Sequence, residues 1–362
     1  MARLTYSDIK GVIDHNMAKG RRGYDFPLTP RLNNIIGNLD TDQIHIISGM
    51  PSAGTTSFVD QQYVMSVLLQ WYAIKEEERP NLKIVYYSMA ASELKKMQLL
   101  LCEYLKLVHN LRVDVPTLNS RKGKLYDISQ DAELQDAIED ATPFFNEVID
   151  DEVLTILDGQ RTPTDVYNTL VTYMEGIGYY DESKKFVLDD AHKDELVLVV
   201  IDSLDYMIQD SDGYGTISGT ALHDKMKRYM RELKDKFHIS FAATMMAPSV
   251  LIRKPSDGEP NYRQLGQYGP IADRGIMLYN PIVENNRKFF DDADVYVSSK
   301  GNILLRTWHV VRNTDGMETV DDRLLFLPGT GYLVEHSYRT ELTDIDEVLE
   351  LLDAKSPFYQ DN

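Results

Sequence analysis

Ile44-His45-Ile46-Ile47-Ser48-Gly49-Met50-Pro51-Ser52-Ala53-Gly54-Thr55-Thr56-Ser57 is the stretch that decides the fold. Its apolar beginning, Ile44 to Ser48, predicts a buried strand. A loop bounded by two glycines follows, and the next segment, Phe58 to Trp71, has the composition of a helix. A strand, a glycine-bounded loop and a helix in this order are the layout of a phosphate-binding P-loop.

The loop keeps most of the residues that bind phosphate. Gly49 and Gly54 have the spacing G-x-x-x-x-G, which lets the backbone curl so that its N–H groups point inward, next to a helix N-terminus. Thr56 stands where a hydroxyl would hold Mg²⁺, but Thr55 stands where the motif has lysine. The stretch therefore predicts a site for ATP or ADP with Mg²⁺ that lacks its usual cation. The predicted nucleotide-binding residues are Gly49, Ser52, Gly54, Thr55, Thr56 and Ser57.

Composition narrows the class of protein. The chain has 362 residues, 43% of them hydrophobic, which is enough for one large α/β domain. No apolar run approaches 18 residues and the N-terminus lacks an apolar signal core, so we expect a cytoplasmic protein with no membrane partner. The single cysteine, Cys102, excludes an internal disulfide framework and is expected to be buried. A net charge of −19 argues against general affinity for nucleic acid, although a locally basic channel remains compatible with it.

Strand-like and helix-like segments alternate along the chain. This alternation predicts an α/β fold with a mostly parallel twisted sheet and helices on both faces. The predicted strands are 44–48, 82–88, 153–158, 196–202 and 239–244, and the predicted helices are 58–71, 92–108, 130–145, 164–177 and 222–237. Residues 210–220 and 248–270 are predicted to be long loops.

Asp202 ends the most apolar of these strands, Leu196 to Ile201. An aspartate at the carboxyl end of a central strand has the form of a Walker B motif, in which it holds Mg²⁺ beside the P-loop hydroxyl. We therefore expect Thr56 and Asp202 to share a magnesium site.

Three regions are expected along the chain. Residues 1–24 form an extension with a short amphipathic helix at 6–18, residues 25–336 form the main α/β domain, and residues 337–362 form a helical tail. In the tail, 341–352 is the predicted helix and 356–362 is expected to fray.

The order of these motifs resembles the RecA-type motor domain of DnaB-like replicative helicases, a family with many phage-encoded members. The resemblance covers roughly residues 23–336, and it rests on the order of several segments rather than on any one of them. Those segments are Gly23 to Ile47, Tyr87 to Ser92, Leu154 to Leu170, Lys227 to Thr244, Trp308 to Asn313 followed by Gly316, and Phe326 to Gly331.

The resemblance implies a homo-oligomeric, hexameric ring that binds ATP between subunits and grips single-stranded DNA, with replication or phage proteins as partners. It also implies that Arg312 reaches the nucleotide of a neighbouring subunit as a catalytic finger. The chain departs from the family pattern at four positions. These are the P-loop lysine (Thr55), the water-activating glutamate (Ala90), the polar sensor (Met245) and the lysine near the finger (Val310).

Three hypotheses remain open at this stage. The first is a ring protein that binds nucleotide but hydrolyses little and acts through assembly or partner binding. The second is a working ATP-driven DNA translocase in which another cation replaces the lysine, and the third is a structural or scaffold protein of a phage or replication complex. Arg253, Lys254 and Arg263 are candidate DNA contacts in a long loop, and they are equally typical of solvated loop charges.

Overall fold

The computed structural model describes residues 10, 23–120, 128–213, 215–248, 262–281, 293–299, 301, 303–316, 320–336, 342 and 344–360. The predicted helix at 6–18, apart from Lys10, lies outside these residues, and so do Arg253 and Lys254. None of the helices in the described ranges is long and apolar enough to cross a membrane.

One nine-stranded sheet organises the described part of the chain. Its strands are β1 (Ile44–Gly49), β2 (Leu82–Ser88), β3 (Leu154–Asp158), β6 (Leu196–Asp202), β9 (Ser240–Met246), β10 (Arg274–Tyr279), β11 (Leu305–Asn313), β12 (Val320–Leu327) and β13 (Tyr332–His336). Two small hairpins lie outside it and are formed by β4 (Gly178–Tyr180) with β5 (Phe186–Leu188) and by β7 (Asp210–Asp212) with β8 (Gly215–Ile217).

The sheet is parallel through its centre. Its strand order is β13-β12-β11-β10-β1-β9-β6-β2-β3, and every pair from β10 to β3 is parallel, whereas β10 to β13 pair antiparallel. Strands β1, β2 and β6 are buried along their whole length, as expected for parallel strands covered on both faces. The predicted α/β class and the five predicted strands are confirmed.

Helices cover both faces of the sheet. The P-loop helix runs from Thr55 to Tyr72 in three parts. Its first part packs on the face that carries Ile47, together with α4 (Glu93–His109) and α6 (Ala132–Asp150). The opposite face, which carries Ile46, is covered by α7 (Pro163–Gly176) and α8 (Gly219–Phe237). The helices are α1 (Pro30–Ile36), α2 (Thr55–Val59), a π-helical part (Asp60–Met65), α3 (Ser66–Tyr72), α4 (Glu93–His109), α5 (Val115–Leu118), α6 (Ala132–Asp150), α7 (Pro163–Gly176), α8 (Gly219–Phe237) and α9 (Ile345–Asp353).

Two predictions about irregular regions are wrong. Residues 210–220 are not one open loop, because β7 and β8 pair there and buried Asp210 anchors them through Lys225 at 3.0 Å. Residues 356–360 are not frayed, because Ser356 is buried against α4 and the Gln360 N–H donates to the Val108 carbonyl at 3.1 Å. Cys102 is buried, as predicted.

Candidate nucleotide-binding site

The P-loop curls at the carboxyl end of β1. Ser52 and Gly54 have φ values of 70° and 90°, in the left-handed region, and they turn the chain back toward the sheet. The Ala53 N–H donates to the Met50 carbonyl at 2.9 Å, which closes the turn before the helix begins at Thr55. The predicted cradle is therefore present in the backbone, with the helix N-terminus directly behind it.

Glycine is favoured at positions 49 and 54 for different reasons. A Cβ at Gly49 would lie 2.9 Å from the Leu278 carbonyl oxygen and 2.8 Å from the Thr55 methyl group, so the loop passes too close to β10 for any side chain. A Cβ at Gly54 would meet nothing closer than 3.9 Å, and glycine is favoured there by its positive φ instead.

Asp202 lies at the carboxyl end of β6 and joins the loop to the sheet. Its Oδ1 accepts hydrogen bonds from the Thr56 hydroxyl at 3.0 Å and the Thr244 hydroxyl at 2.8 Å. Because β9 lies between β1 and β6, the Thr244 side chain fills the space between the two motifs. The structure thus brings together Thr56 and Asp202, the two residues predicted to share a metal site.

This pair fits Mg²⁺. The Thr56 hydroxyl donates its proton to Asp202, so its oxygen lone pairs are available to a cation, and carboxylate and hydroxyl oxygens are the ligands that Mg²⁺ prefers. The described residues contain no group of three or more histidine, cysteine, aspartate or glutamate side chains placed to bind a metal. A magnesium ion here would therefore depend on phosphate and water for its remaining ligands.

A buried charge cluster lies beneath the loop, formed by Asp60, Tyr86, Lys96 and Asp202, and we call it the Lys96 cluster. The Lys96 ammonium donates to both oxygens of Asp60, at 2.8 and 3.1 Å, and to the Tyr86 hydroxyl at 2.8 Å. The single hydroxyl proton of Tyr86 is shared between Asp60 Oδ1, at 2.6 Å, and Asp202 Oδ2, at 3.2 Å. The ammonium also lies 3.6 Å from Asp202 Oδ2, and the Lys96 side chain is only 1% exposed.

Electrostatics keep Lys96 charged. Burial opposes its charged form, but the carboxylates of Asp60 and Asp202 outweigh this effect and raise the pKa of Lys96 above its ordinary value. Two turns further along α4, burial and the nearby charge of Asp60 raise the pKa of Glu103 well above its ordinary value. Burial also raises the pKa of Asp60 above its ordinary value, and the Lys96 ammonium opposes this effect.

Arg312 lies at the other end of the sheet. It pairs with Gly275 near the beginning of β10, whereas the P-loop follows β1 beside Leu278, about 10 Å further along the strand direction. Arg312 lines a groove of about 200 Å³ with Ile44 and Lys234, at the amino ends of the parallel strands. The structure therefore does not bring Arg312 to the P-loop of its own chain.

Comparisons with known proteins find similarity in structure only. No protein-family model matches the chain, and a search of curated proteins finds no relative. Among solved structures, one described as an ATPase domain matches with a TM-score of 0.64 and 12% identity, covering 93% of this chain and 100% of that one. A DnaB-like replicative helicase, described with its interactions with primase, matches with a TM-score of 0.60 and 14% identity, covering 92% of this chain and 67% of that one. The chain has the RecA-like fold of a DnaB-like helicase ATPase domain.

The structure shows what surrounds each of the four residues that differ from the DnaB-like pattern. Thr55 is half-buried and its methyl group faces Gly49, while Ala90 is exposed at the turn after β2. Met245 is buried beside Gly266, and Val310 is buried in the core. None of these four side chains carries a charge, and only Thr55 has a hydroxyl that could contact a phosphate.

Sequence reasoning missed most of the Lys96 cluster and the role of Thr244. Asp60 and Lys96 each belong to a segment that was correctly predicted to be helical, but nothing in the spacing of one helix shows which strand it faces. The signal that could have found them is a charge on an apolar face: Lys96 shares one face of α4 with Leu100 and Leu107, which are both buried. Of the three candidate DNA contacts, Arg263 is described and is exposed.

Proposed function

We propose that this chain is a DnaB-like helicase-family ring protein that binds nucleotide, hydrolyses it little or not at all, and acts through assembly or partner binding. One observation carries the proposal: the loop keeps the curl of a phosphate cradle, while Thr55 occupies the place of its lysine. The fold and the Thr56–Asp202 contact at 3.0 Å support nucleotide binding, and the loss at Thr55 argues against turnover.

Binding depends on parts that the chain retains. A curled glycine loop and the N-terminus of its helix would attract phosphate oxygens through backbone N–H groups, without any side-chain charge. Thr56 and Asp202 would hold Mg²⁺, which when bound screens the charge of the phosphates. ATP and ADP are therefore the ligands proposed for this site.

ATP hydrolysis depends on two side chains that this sequence lacks, the P-loop lysine and the general base. Removing a charge-assisted hydrogen bond to a phosphate costs about 1.5–3 kcal/mol. Removing a positioned general base costs about 10²–10⁴ in rate, and Ala90 offers no such group. Among the described residues, the most deeply buried cation near the loop is Lys96, which is bound to Asp60 and does not extend into the cradle.

Assembly is proposed from the position of Arg312. A half-buried arginine at the amino ends of the parallel strands, away from its own P-loop, fits a role toward the nucleotide of a neighbouring copy. We therefore propose a homo-oligomer, a hexameric ring by analogy with the fold, in the cytoplasm of a cell or of a phage host. Single-stranded DNA and phage or replication proteins are the proposed partners, with Arg263 as a candidate DNA contact.

The test restores the two lost groups with Thr55→Lys and Ala90→Glu together and measures single-turnover ATP hydrolysis with and without single-stranded DNA. We expect the natural chain to bind ADP and to hydrolyse almost no ATP, and the double variant to gain at least about 10² in rate. Thr55→Met, which adds length without charge, is the matched control and should gain nothing.

Hydrolysis by the natural chain at a rate of about 1 s⁻¹ or more, stimulated by DNA, would instead establish the second hypothesis, a working translocase. Stable rings that bind neither ADP nor DNA would establish the third, a scaffold protein. Light scattering of the purified chain with and without ADP measures the ring.

A further inference from the structure

Lys96 places a fixed positive charge on the core side of Asp202. The two oxygens of Asp202 face different groups: Oδ1 accepts from the hydroxyls of Thr56 and Thr244, on the side of the loop. Oδ2 accepts from Tyr86 and lies 3.6 Å from the Lys96 ammonium. The carboxylate is therefore held between two hydroxyl donors toward the loop and, toward the core, the Tyr86 hydroxyl and one cation.

The ammonium is fixed in this place by its other contacts. It donates hydrogen bonds to both oxygens of Asp60, at 2.8 and 3.1 Å, and to the Tyr86 hydroxyl at 2.8 Å. Lys96 is 1% exposed, so no water competes for its protons at the surface. A lysine held by two buried carboxylates cannot extend into the cradle without leaving both of them uncompensated.

This cation changes what the site requires from a metal. In a P-loop site, the charge of Mg²⁺ lies between the aspartate and the phosphates, which otherwise repel each other. Here, the Lys96 ammonium is shared between Asp60, at 2.8 Å, and Asp202, at 3.6 Å, and so compensates part of the charge of Asp202. A fixed positive charge close to a carboxylate also weakens the attraction of that carboxylate for a second cation. Both effects reduce the benefit of Mg²⁺ at this site.

We infer that Lys96 is the built-in counter-ion of this site, so that a nucleoside diphosphate binds in the loop with little dependence on Mg²⁺. The inference rests on the proposed function, because it assumes that the loop binds nucleotide. In this role Lys96 is a positioning residue that acts through Asp202 and does not touch the phosphates.

The matched variant is Asp60→Asn with Lys96→Met. It removes one carboxylate and one ammonium together, so the buried net charge stays as in the natural chain, while Asp202 loses its cation. Lys106→Met is the control, because Lys106 is a buried lysine of the same helix, about 15 Å further along, whose amine contacts Asn110 and the Tyr332 ring.

The experiment measures the affinity of ADP by calorimetry in excess Mg²⁺ and in excess EDTA. We expect the natural chain and Lys106→Met to bind ADP within about threefold in the two buffers, and the double variant to bind about tenfold or more weakly in EDTA. A second readout needs no nucleotide: Mg²⁺ alone should leave the melting temperature of the natural chain unchanged and should raise that of the double variant.

Two results would overturn the inference. One is a loss of ADP affinity of tenfold or more when Mg²⁺ is removed from the natural chain. The other is an equal dependence on Mg²⁺ in the natural chain and the double variant. If the natural chain binds ADP in neither buffer, the proposed nucleotide function itself fails, and this is seen before any variant is made.

Discussion

The Lys96 cluster makes a sharp prediction about stability, because its members do not contribute equally. Lys96→Met leaves Asp60 and Asp202 buried around Tyr86 with no cation, and breaking a buried pair in this way costs about 3–5 kcal/mol of unfolding free energy. Asp60→Asn is milder, because the ammonium keeps Asp202 at 3.6 Å, so we expect a cost of about 1.5–3 kcal/mol for the lost charge-assisted hydrogen bonds.

The double variant separates this explanation from simple loss of contacts. Asp60→Asn with Lys96→Met should cost clearly less than the two single changes together, by about 1.5 kcal/mol or more, because it leaves no uncompensated charge beyond that of the natural chain. Urea unfolding at constant m-value measures each variant. In the control cycle, Asp60→Asn with Lys106→Met should be additive within about 0.5 kcal/mol. Additive behaviour in the Lys96 cycle, or a Lys96→Met cost below about 1 kcal/mol, would refute the reasoning.

Three other perturbations test the described geometry. Gly49→Ala should weaken ADP binding, measured by calorimetry, about tenfold or more, because its Cβ would lie 2.9 Å from the Leu278 carbonyl and displace the loop. Gly176→Ala is the control and should leave binding unchanged, because a Cβ there would have nothing within 4 Å. Burial lowers the pKa of His45 to about 3, below its unfolded value near 6.5. Between pH 7 and 5 the unfolded state therefore binds a proton that the folded state does not bind, and the unfolding free energy should fall by about 2 kcal/mol. His45→Gln should remove that part of the pH dependence, as measured by urea midpoints at the two pH values. ADP and ATP should bind within about threefold of each other, because Thr55 offers no ammonium to the terminal phosphate. Thr55→Lys should favour ATP about tenfold or more in a competition assay.

The sheet could be predicted from sequence because its central strands are local patterns. Leu196–Asp202 is a nearly unbroken apolar run, and every one of its residues is buried. The P-loop could be predicted because its glycine spacing is a property of one short segment. The beginning of α7 is similar, since Thr162 and Asp165 form a reciprocal cap within four residues.

The Lys96 cluster could not be predicted because its members come from four separate parts of the chain. Asp60 follows the P-loop, Tyr86 belongs to β2, Lys96 to α4 and Asp202 to β6. Only the packing of α4 beside the P-loop helix brings them within hydrogen-bonding distance. The pattern of each helix does predict that a partner exists, because a charge on an otherwise apolar face must be paired when it is buried.

The same limit explains the error at residues 210–220. Glycine, serine and aspartate predict a turn, and a turn is present, but the pairing of β7 with β8 depends on distant partners. Asp210 accepts hydrogen bonds from both the backbone and the hydroxyl of Thr164, at 3.0 and 2.8 Å. A carboxylate that resembles a solvated loop charge in the sequence is thus a buried anchor between α7 and α8.

The position of the cation decides what a P-loop can do. A lysine in the loop follows the terminal phosphate and stabilises charge as it develops during transfer. An ammonium beneath the aspartate, fixed by Asp60 and Tyr86, acts equally on the bound nucleotide before and after any transfer. Interactions of equal strength in the ground state and the transition state improve binding without accelerating the reaction. Under the proposed function, a chain with Thr55 in the loop and Lys96 in the core would therefore bind nucleotide without turning it over, and restoring turnover would require a charge in the loop itself.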